Sequence, residues 1–142
     1  MIRAALRYPW SGIVVDRDGD VAAATSIWIP PDAAELTEAD EHELEVVLAA
    51  PLGADGAAAC YTLFGRFEAN HRRGEPHAYL SLLATHPDHR GRGLGMALLA
   101  DDLRRLDAAH VAAWLESMNP ANDRRYQSVG FEPVGAFRTT DE

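Results

Sequence analysis

Lysine is absent from the 142 residues, and all thirteen basic positions are arginine. A Walker phosphate loop, which closes on a lysine, is therefore excluded. The single cysteine, Cys60, excludes an internal disulfide and asks for no oxidising compartment. Positive charge is scarce as well: 22 acids against 13 arginines leave a net charge of −9. That balance argues against general binding to nucleic acid or an anionic membrane, since both need a basic footprint. No apolar run approaches the length of a membrane span, and no signal-peptide core follows the two arginines of the first eight residues. A cytoplasmic protein is the expectation.

What is present fits one soluble domain spanning 1–142, long enough for a real core. The charge is unevenly spread. Seven acids fall between Asp32 and Glu45 without an arginine, whereas His86 to Arg92 is locally basic. The acidic run reads first as a solvated helix face; attraction of a cationic amine is its other reading. An acidic protein with one small basic turn suits an anionic cofactor.

Two β-prone runs, Ile13-Val14-Val15 and Val21 to Ile29, flank an Asp-Gly turn and predict a hairpin that Pro30-Pro31 ends. Thr37 with Asp40 resembles a capping box for a helix carrying Leu44, Val47 and Leu48 on one face, closed by Pro51 and Gly53. A second helix is expected from about Ala57 to His71, with Cys60, Leu63, Phe64 and Phe67 on its apolar side. His77 to Thr85 reads as a strand, and Met96, Leu99, Leu103 and Leu106 share a helical face. Val111 to Glu116 is strand-like, a short helix should run to Gly130, and Val134 to Thr139 is expected as a last strand. The order gives an α/β fold on a central twisted mixed sheet.

The stretch His86-Pro87-Asp88-His89-Arg90-Gly91-Arg92-Gly93-Leu94-Gly95 lies between the apolar run Tyr79 to Ala84 and the helical pattern after it. Strand, glycine-rich turn and helix N-terminus in that order build an anion site, because glycine admits close approach and the first helical amides are unpaired. Alone, the three glycines read equally well as an ordinary loop, and they lack the spacing of a dinucleotide fingerprint. His86-x-x-His89 has metal-like spacing without a third ligand cluster, so no metal site is assigned.

Arg90-Gly91-Arg92-Gly93-Leu94-Gly95 resembles the acyl-CoA pyrophosphate signature Arg/Gln-x-x-Gly-x-Gly/Ala of the GNAT superfamily of N-acetyltransferases. Leu115-Glu116-Ser117-Met118-Asn119-Pro120-Ala121-Asn122 and Tyr126-Gln127-Ser128-Val129-Gly130-Phe131 are similar to that family's ending at the expected separation. Upstream, Trp28-Ile29-Pro30-Pro31 is similar to a branch of antibiotic N-acetyltransferases that includes puromycin acetyltransferase. The resemblance implies that acetyl-CoA is held by the amides of Gly91, Arg92, Gly93, Leu94 and Gly95. Leu83, Ala84 and Thr85 would offer main-chain groups to the pantetheine arm, and Arg90, Arg92, Asn119 and Asn122 would make further contacts. Solvated turn charge for the arginines, and turn or cap duty for the asparagines, are their other readings.

The resemblance also makes Tyr126 the general acid. A phenol near pKa ~10 can protonate a thiolate whose thiol titrates near ~8.5. Glu116, at the end of its strand and before the Asn turn, is the choice for general base. His77, Tyr79 and Ser81 on one face of the central strand are competitors, and packing or surface duty is the other reading of each. Both ends look shorter than the family's, and an uncovered sheet edge would invite a homodimer. The implied function is transfer of acetyl from acetyl-CoA to a small-molecule amine by direct attack in a ternary complex. The alternative is a non-catalytic acyl-CoA-binding regulatory module.

Overall fold

In the computed structural model the described residues are 8–16, 19–31, 33, 38–72 and 74–139; at 38–45, 47 and 48 only the backbone is described. They belong to two compact units, Ile2–Glu35 with Pro76–Glu132, and Leu36–Glu75 with Pro133–Glu142. The strands are β1 Gly12–Val15, β2 Ala22–Ile29, β3 His77–Thr85 and β4 Ala112–Trp114. The helices are α1 Glu38–Asn70, α2 Leu94–Ala108 and α3 Asp123–Gln127.

The first unit is a mixed sheet in the order β1-β2-β3-β4. The expected hairpin forms, with β1 and β2 antiparallel. At its turn the Asp16 carboxylate accepts from the amides of Asp20 at 3.1 Å and Val21 at 3.4 Å. β3 lies antiparallel to β2, and β4 is parallel to β3. A parallel pair needs a crossover, and α2 supplies it across one face of the sheet. Alternation along β2 divides the two faces. Trp28 packs with Ala78, Leu80, Leu99 and Leu106, whereas Ile27 and Ile29 pack with Tyr79 and Leu82.

α2 buries Leu98, Leu99, Asp102 and Leu106, so a carboxylate lies among its apolar contacts. Asp102 is fully buried; its Oδ2 accepts from Trp28 Nε1 at 2.9 Å, and its Oδ1 accepts from Arg105. Arg105 also donates to the Trp10 carbonyl at 3.2 Å. The buried acid therefore joins the core strand, the crossover helix and the chain ahead of β1.

In the second unit α1 is broken at Gly53 (φ 68°, ψ 178°), two residues after Pro51. The break falls where Pro51 and Gly53 are expected to separate two helices. Thr37 and the side chains of Leu44, Val47 and Leu48 lie outside the described residues. The expected strand at Val134 to Thr139 is not formed, and 131–138 has no regular structure. This segment is held by side chains instead. Phe137 packs edge-on to Phe67 at 5.8 Å, and Arg66 donates to the Arg138 carbonyl at 3.1 Å. Gly135 and Ala136 bring little strand propensity of their own.

Candidate active site

The glycine turn is built by three glycines with two different duties. Gly91 and Gly93 both take φ 74°, a left-handed conformation that costs any other residue about 1–2 kcal/mol. Gly95 instead provides room, since a Cβ there would lie 2.8 Å from Thr85 Oγ1. The start of α2 is thus seated against the end of β3. Its first hydrogen bond runs from the Ala97 amide to the Gly93 carbonyl at 2.9 Å. The amides ahead of Ala97 have no acceptor within the helix and lie at the positive end of its dipole.

The side chains of the turn are braced against one another. Arg92 Nη1 lies 2.9 Å from His89 Nδ1, and the His86 and His89 rings meet edge-on at 5.6 Å. His86 Nδ1 accepts from the Asp88 amide at 3.3 Å, while the His86 amide donates to the Ala23 carbonyl at 2.9 Å. These contacts account for the His86-x-x-His89 spacing as a structural turn. Among the described residues no group of three or more His, Cys, Asp or Glu gathers to hold a metal. Arg90 is exposed. Desolvation raises the Asp16 carboxyl, but the amides of Val21, Asp20 and Gly19, with nearby His89, outweigh it and hold it below the usual range.

Leu83, Ala84 and Thr85 occupy the last three positions of β3. β4 pairs with β3 only through His77↔Ala112, Ala78↔Ala113 and Tyr79↔Trp114. Beyond Tyr79 the two strands part, and among the described residues no strand lines that side of Leu80–Thr85. Outward-directed main-chain groups of Leu82–Thr85 there have no strand partner among the described residues and lie beside the glycine turn. Opposite Ile27 and Trp28 the register passes from Leu82 to Leu80, so Ser81 is an inserted bulge residue. The expected alternation of His77, Tyr79 and Ser81 therefore ends at the bulge.

At the fork the parallel register places Tyr79 beside Trp114, and the His77 and Trp114 rings lie 5.9 Å apart. Trp114 Nε1 donates to Glu116 Oε1 at 2.7 Å, fixing a half-buried carboxylate two residues past β4.

The Tyr-x-x-x-Gly-Phe segment is a helix stop that positions its own tyrosine. Gly130 takes φ 104°, and its amide donates to the Gln127 carbonyl at 3.1 Å. The Phe131 amide reaches back to the Tyr126 carbonyl at 3.2 Å. This pair of bonds is a Schellman motif, and its apolar contact is the edge-on packing of Phe131 on Tyr126 at 6.2 Å. Burial pushes the Tyr126 phenol up, and Asp123 pushes it further, against a smaller lowering by Arg125. Asn119 Oδ1 caps the Pro120–Asn122 turn by accepting from the Ala121 amide at 3.0 Å, and Asn122 Oδ1 accepts from Arg125 at 3.2 Å. The oxygens of both asparagines are thus engaged in the turn.

Residues 45–133, more than half of the chain, match the family described as the acetyltransferase (GNAT) domain. The chain belongs to the GNAT acetyltransferase family. Over 80 residues it is 34% identical to the L-amino acid N-acyltransferase MnaT of Escherichia coli (strain K12). That match covers 54% of this chain and 45% of MnaT, so the chain is aligned with less than half of that relative. A solved structure of a histone acetyltransferase HPA2 and related acetyltransferase from Corynebacterium glutamicum ATCC 13032 is similar with a TM-score of 0.62 and 22% identity. It covers 98% of this chain and 64% of that one. A protein of Agrobacterium tumefaciens str. C58 assigned as an acetyltransferase gives 0.53 and 20%, over 96% and 73% of the two chains. Both likenesses show the α/β fold of this GNAT domain.

Two features of the site escape a reading of the sequence. The Ser81 bulge has no local signature, because both sides of it read as strand. The indole–Glu116 bond spans two residues in a segment whose alternation is easily read, yet nothing in the spacing says the side chains meet.

Proposed function

We propose that this GNAT domain transfers an acetyl group from acetyl-CoA to the nitrogen of a small amine, with both molecules bound at once. The observation that carries the reading is the end of β3, Leu82–Thr85, unpaired on its β4 side among the described residues and running into a glycine turn and the N-terminus of α2. These groups suit a long ligand with an extended polar arm and a pyrophosphate. Leu83, Ala84 and Thr85 would hold the arm through main-chain groups, and the amides of Gly91, Arg92, Gly93, Leu94 and Gly95 would hold the phosphates. Arg90 and Arg92 would add paired donors, arginine being suited to bidentate phosphate contacts. The amide nitrogens of Asn119 and Asn122 remain for contacts along the same ligand. When bound, acetyl-CoA would supply an activated acetyl thioester.

The protein's own part is to orient and to move protons. Glu116 accepts a proton from the incoming amine. Tyr126 is neutral before the reaction and donates its proton to the departing sulfur. Leaving the phenol protonated at neutral pH is what its burial and the neighbouring Asp123 favour.

The test is release of free thiol from acetyl-CoA across a panel of primary amines. Amine-dependent release with a matching acetylated product is expected. Tight acetyl-CoA binding by calorimetry without thiol release from any amine would replace this reading with that of a cofactor-binding regulatory module. Absence of any acetyl-CoA binding would remove the cofactor assignment itself.

A further inference from the structure

We propose that the fork between β3 and β4 selects an acceptor that arrives as an ammonium ion and carries no carboxylate beside its nitrogen. Trp114 and Glu116 set the selection. The inference rests on the acetyl-transfer reading of the same site and adds the chemical class of the acceptor.

Two rings and one carboxylate meet where β3 and β4 part, with Tyr79 in register beside them. Tyr79 and Trp114 are register neighbours on one face of the sheet, and the His77 ring lies 5.9 Å from Trp114. The indole commits its N–H edge to Glu116 Oε1 at 2.7 Å, so what it offers an approaching ligand is π-face, which attracts a cation. Glu116 is only partly exposed, so its charge is screened less by solvent and salt than that of a surface acid. Rings and carboxylate therefore act in the same direction on an ammonium group, and the apolar ring surface suits an apolar substituent behind it. A carboxylate on the carbon next to the nitrogen would be carried into the field of Glu116, where like charges repel.

The proton count is consistent with this arrangement. The ammonium gives one proton to Glu116 and becomes the nucleophile. The N–C bond forms as the thioester C–S bond breaks. The second proton lost by nitrogen restores Tyr126 after the phenol has protonated the leaving sulfur. The products are an amide, a free thiol and one proton on Glu116, which passes to solvent.

MnaT is named for L-amino acids, so the decisive pair is phenethylamine against L-phenylalanine, which differ only by the carboxylate. We expect kcat/KM to favour phenethylamine at least tenfold. Glu116→Gln lowers both rates and moves their ratio toward one. Benzyltrimethylammonium, which has the charge and ring but cannot be acetylated, is expected to bind by calorimetry and to compete with the amine. Trp114→Leu weakens its binding at least fivefold, and Trp114→Phe restores most of it, which a merely structural role for the indole would not produce. The proposal is overturned by preference for L-phenylalanine, by an unchanged ratio in Glu116→Gln, or by no binding of the quaternary ion. Binding of that ion with the expected Trp114 dependence, but no thiol release from any amine, would keep this site and discard acetyl transfer.

Discussion

In the acetyl-transfer reading proposed above, Tyr126 must hold its proton at neutral pH to protonate a thiolate, and its surroundings favour that. Burial comes first and Asp123 second in raising its phenol. Activity that needs the neutral phenol is then lost only as pH rises through that raised value, above the ordinary ~10 for tyrosine. The same sign holds for stability: the contribution is complete below the unfolded value and disappears as pH climbs through the folded one. Tyr126→Phe is expected to lower the chemical step about 100-fold and to remove this alkaline limb, with acetyl-CoA affinity little changed. Rapid-quench kinetics against pH read both effects, and an intact chemical step in the variant would remove the acid role. Asp102 is the other residue whose surroundings make a definite demand. Its neighbours are the fully buried Trp28 and the half-exposed Arg105, which can turn to water. Asp102→Ala would strand the indole N–H and is expected to cost about 2–3 kcal/mol. Asp102→Asn keeps an acceptor for the indole and should lose less. Urea unfolding monitored by tryptophan fluorescence distinguishes the two.

The seat of α2 on β3 is a property of two elements meeting, and one contact decides it. Gly95→Ala puts a Cβ 2.8 Å from Thr85 Oγ1, so either the Thr85 hydroxyl rotates away or the helix start shifts from the strand. We expect acetyl-CoA affinity to fall about tenfold, roughly 1.4 kcal/mol. Thr85→Ala removes the obstructing oxygen, and the double variant should recover most of the loss; additive losses in calorimetry would show the clash is not the cause. Elements with strong local grammar are legible in the chain: the hairpin, β3 at His77–Thr85, the glycine turn and the amphipathic α2 all lie where periodicity and glycine place them. The Schellman stop is legible too, in Gly130 with Phe131 after it. What periodicity does not carry is context. Val134 to Thr139 has strand-like residues, but among the described residues its unit holds no strand for it to pair with. Asp102 breaks an otherwise apolar stripe, three and four residues after Leu99 and Leu98, and only a partner elsewhere in the chain explains it. A tryptophan needing an acceptor was the available clue. At the site, residues contributed by main chain are visible as a motif, whereas the indole–carboxylate pair depends on where β4 stops.

At the scale of the molecule, two fields would act on the two proposed ligands. Among the described residues β1 has a strand neighbour on one side only, and Ile13 and Val15 on it are 47% and 56% exposed. An edge of that kind invites pairing with a second copy, so a dimer is expected by sedimentation at micromolar concentration, and a monomer alone would count against it. The net charge of −9 acts over a longer range. Near the glycine turn Arg90, Arg92 and the helix dipole favour an anion, and their influence is confined to about a Debye length, ~10 Å at 0.1 M salt. Farther out the net negative charge would repel the proposed anionic cofactor and attract the proposed cationic amine. With acetyl-CoA saturating, kcat/KM for phenethylamine should fall several-fold between about 0.01 and 0.5 M salt, because screening removes the attraction. An arylamine that is uncharged at neutral pH should give a flat profile over the same range. Equal salt dependence for the two acceptors would mean that salt acts on the protein or the cofactor, and that the acidic surface does not steer the amine.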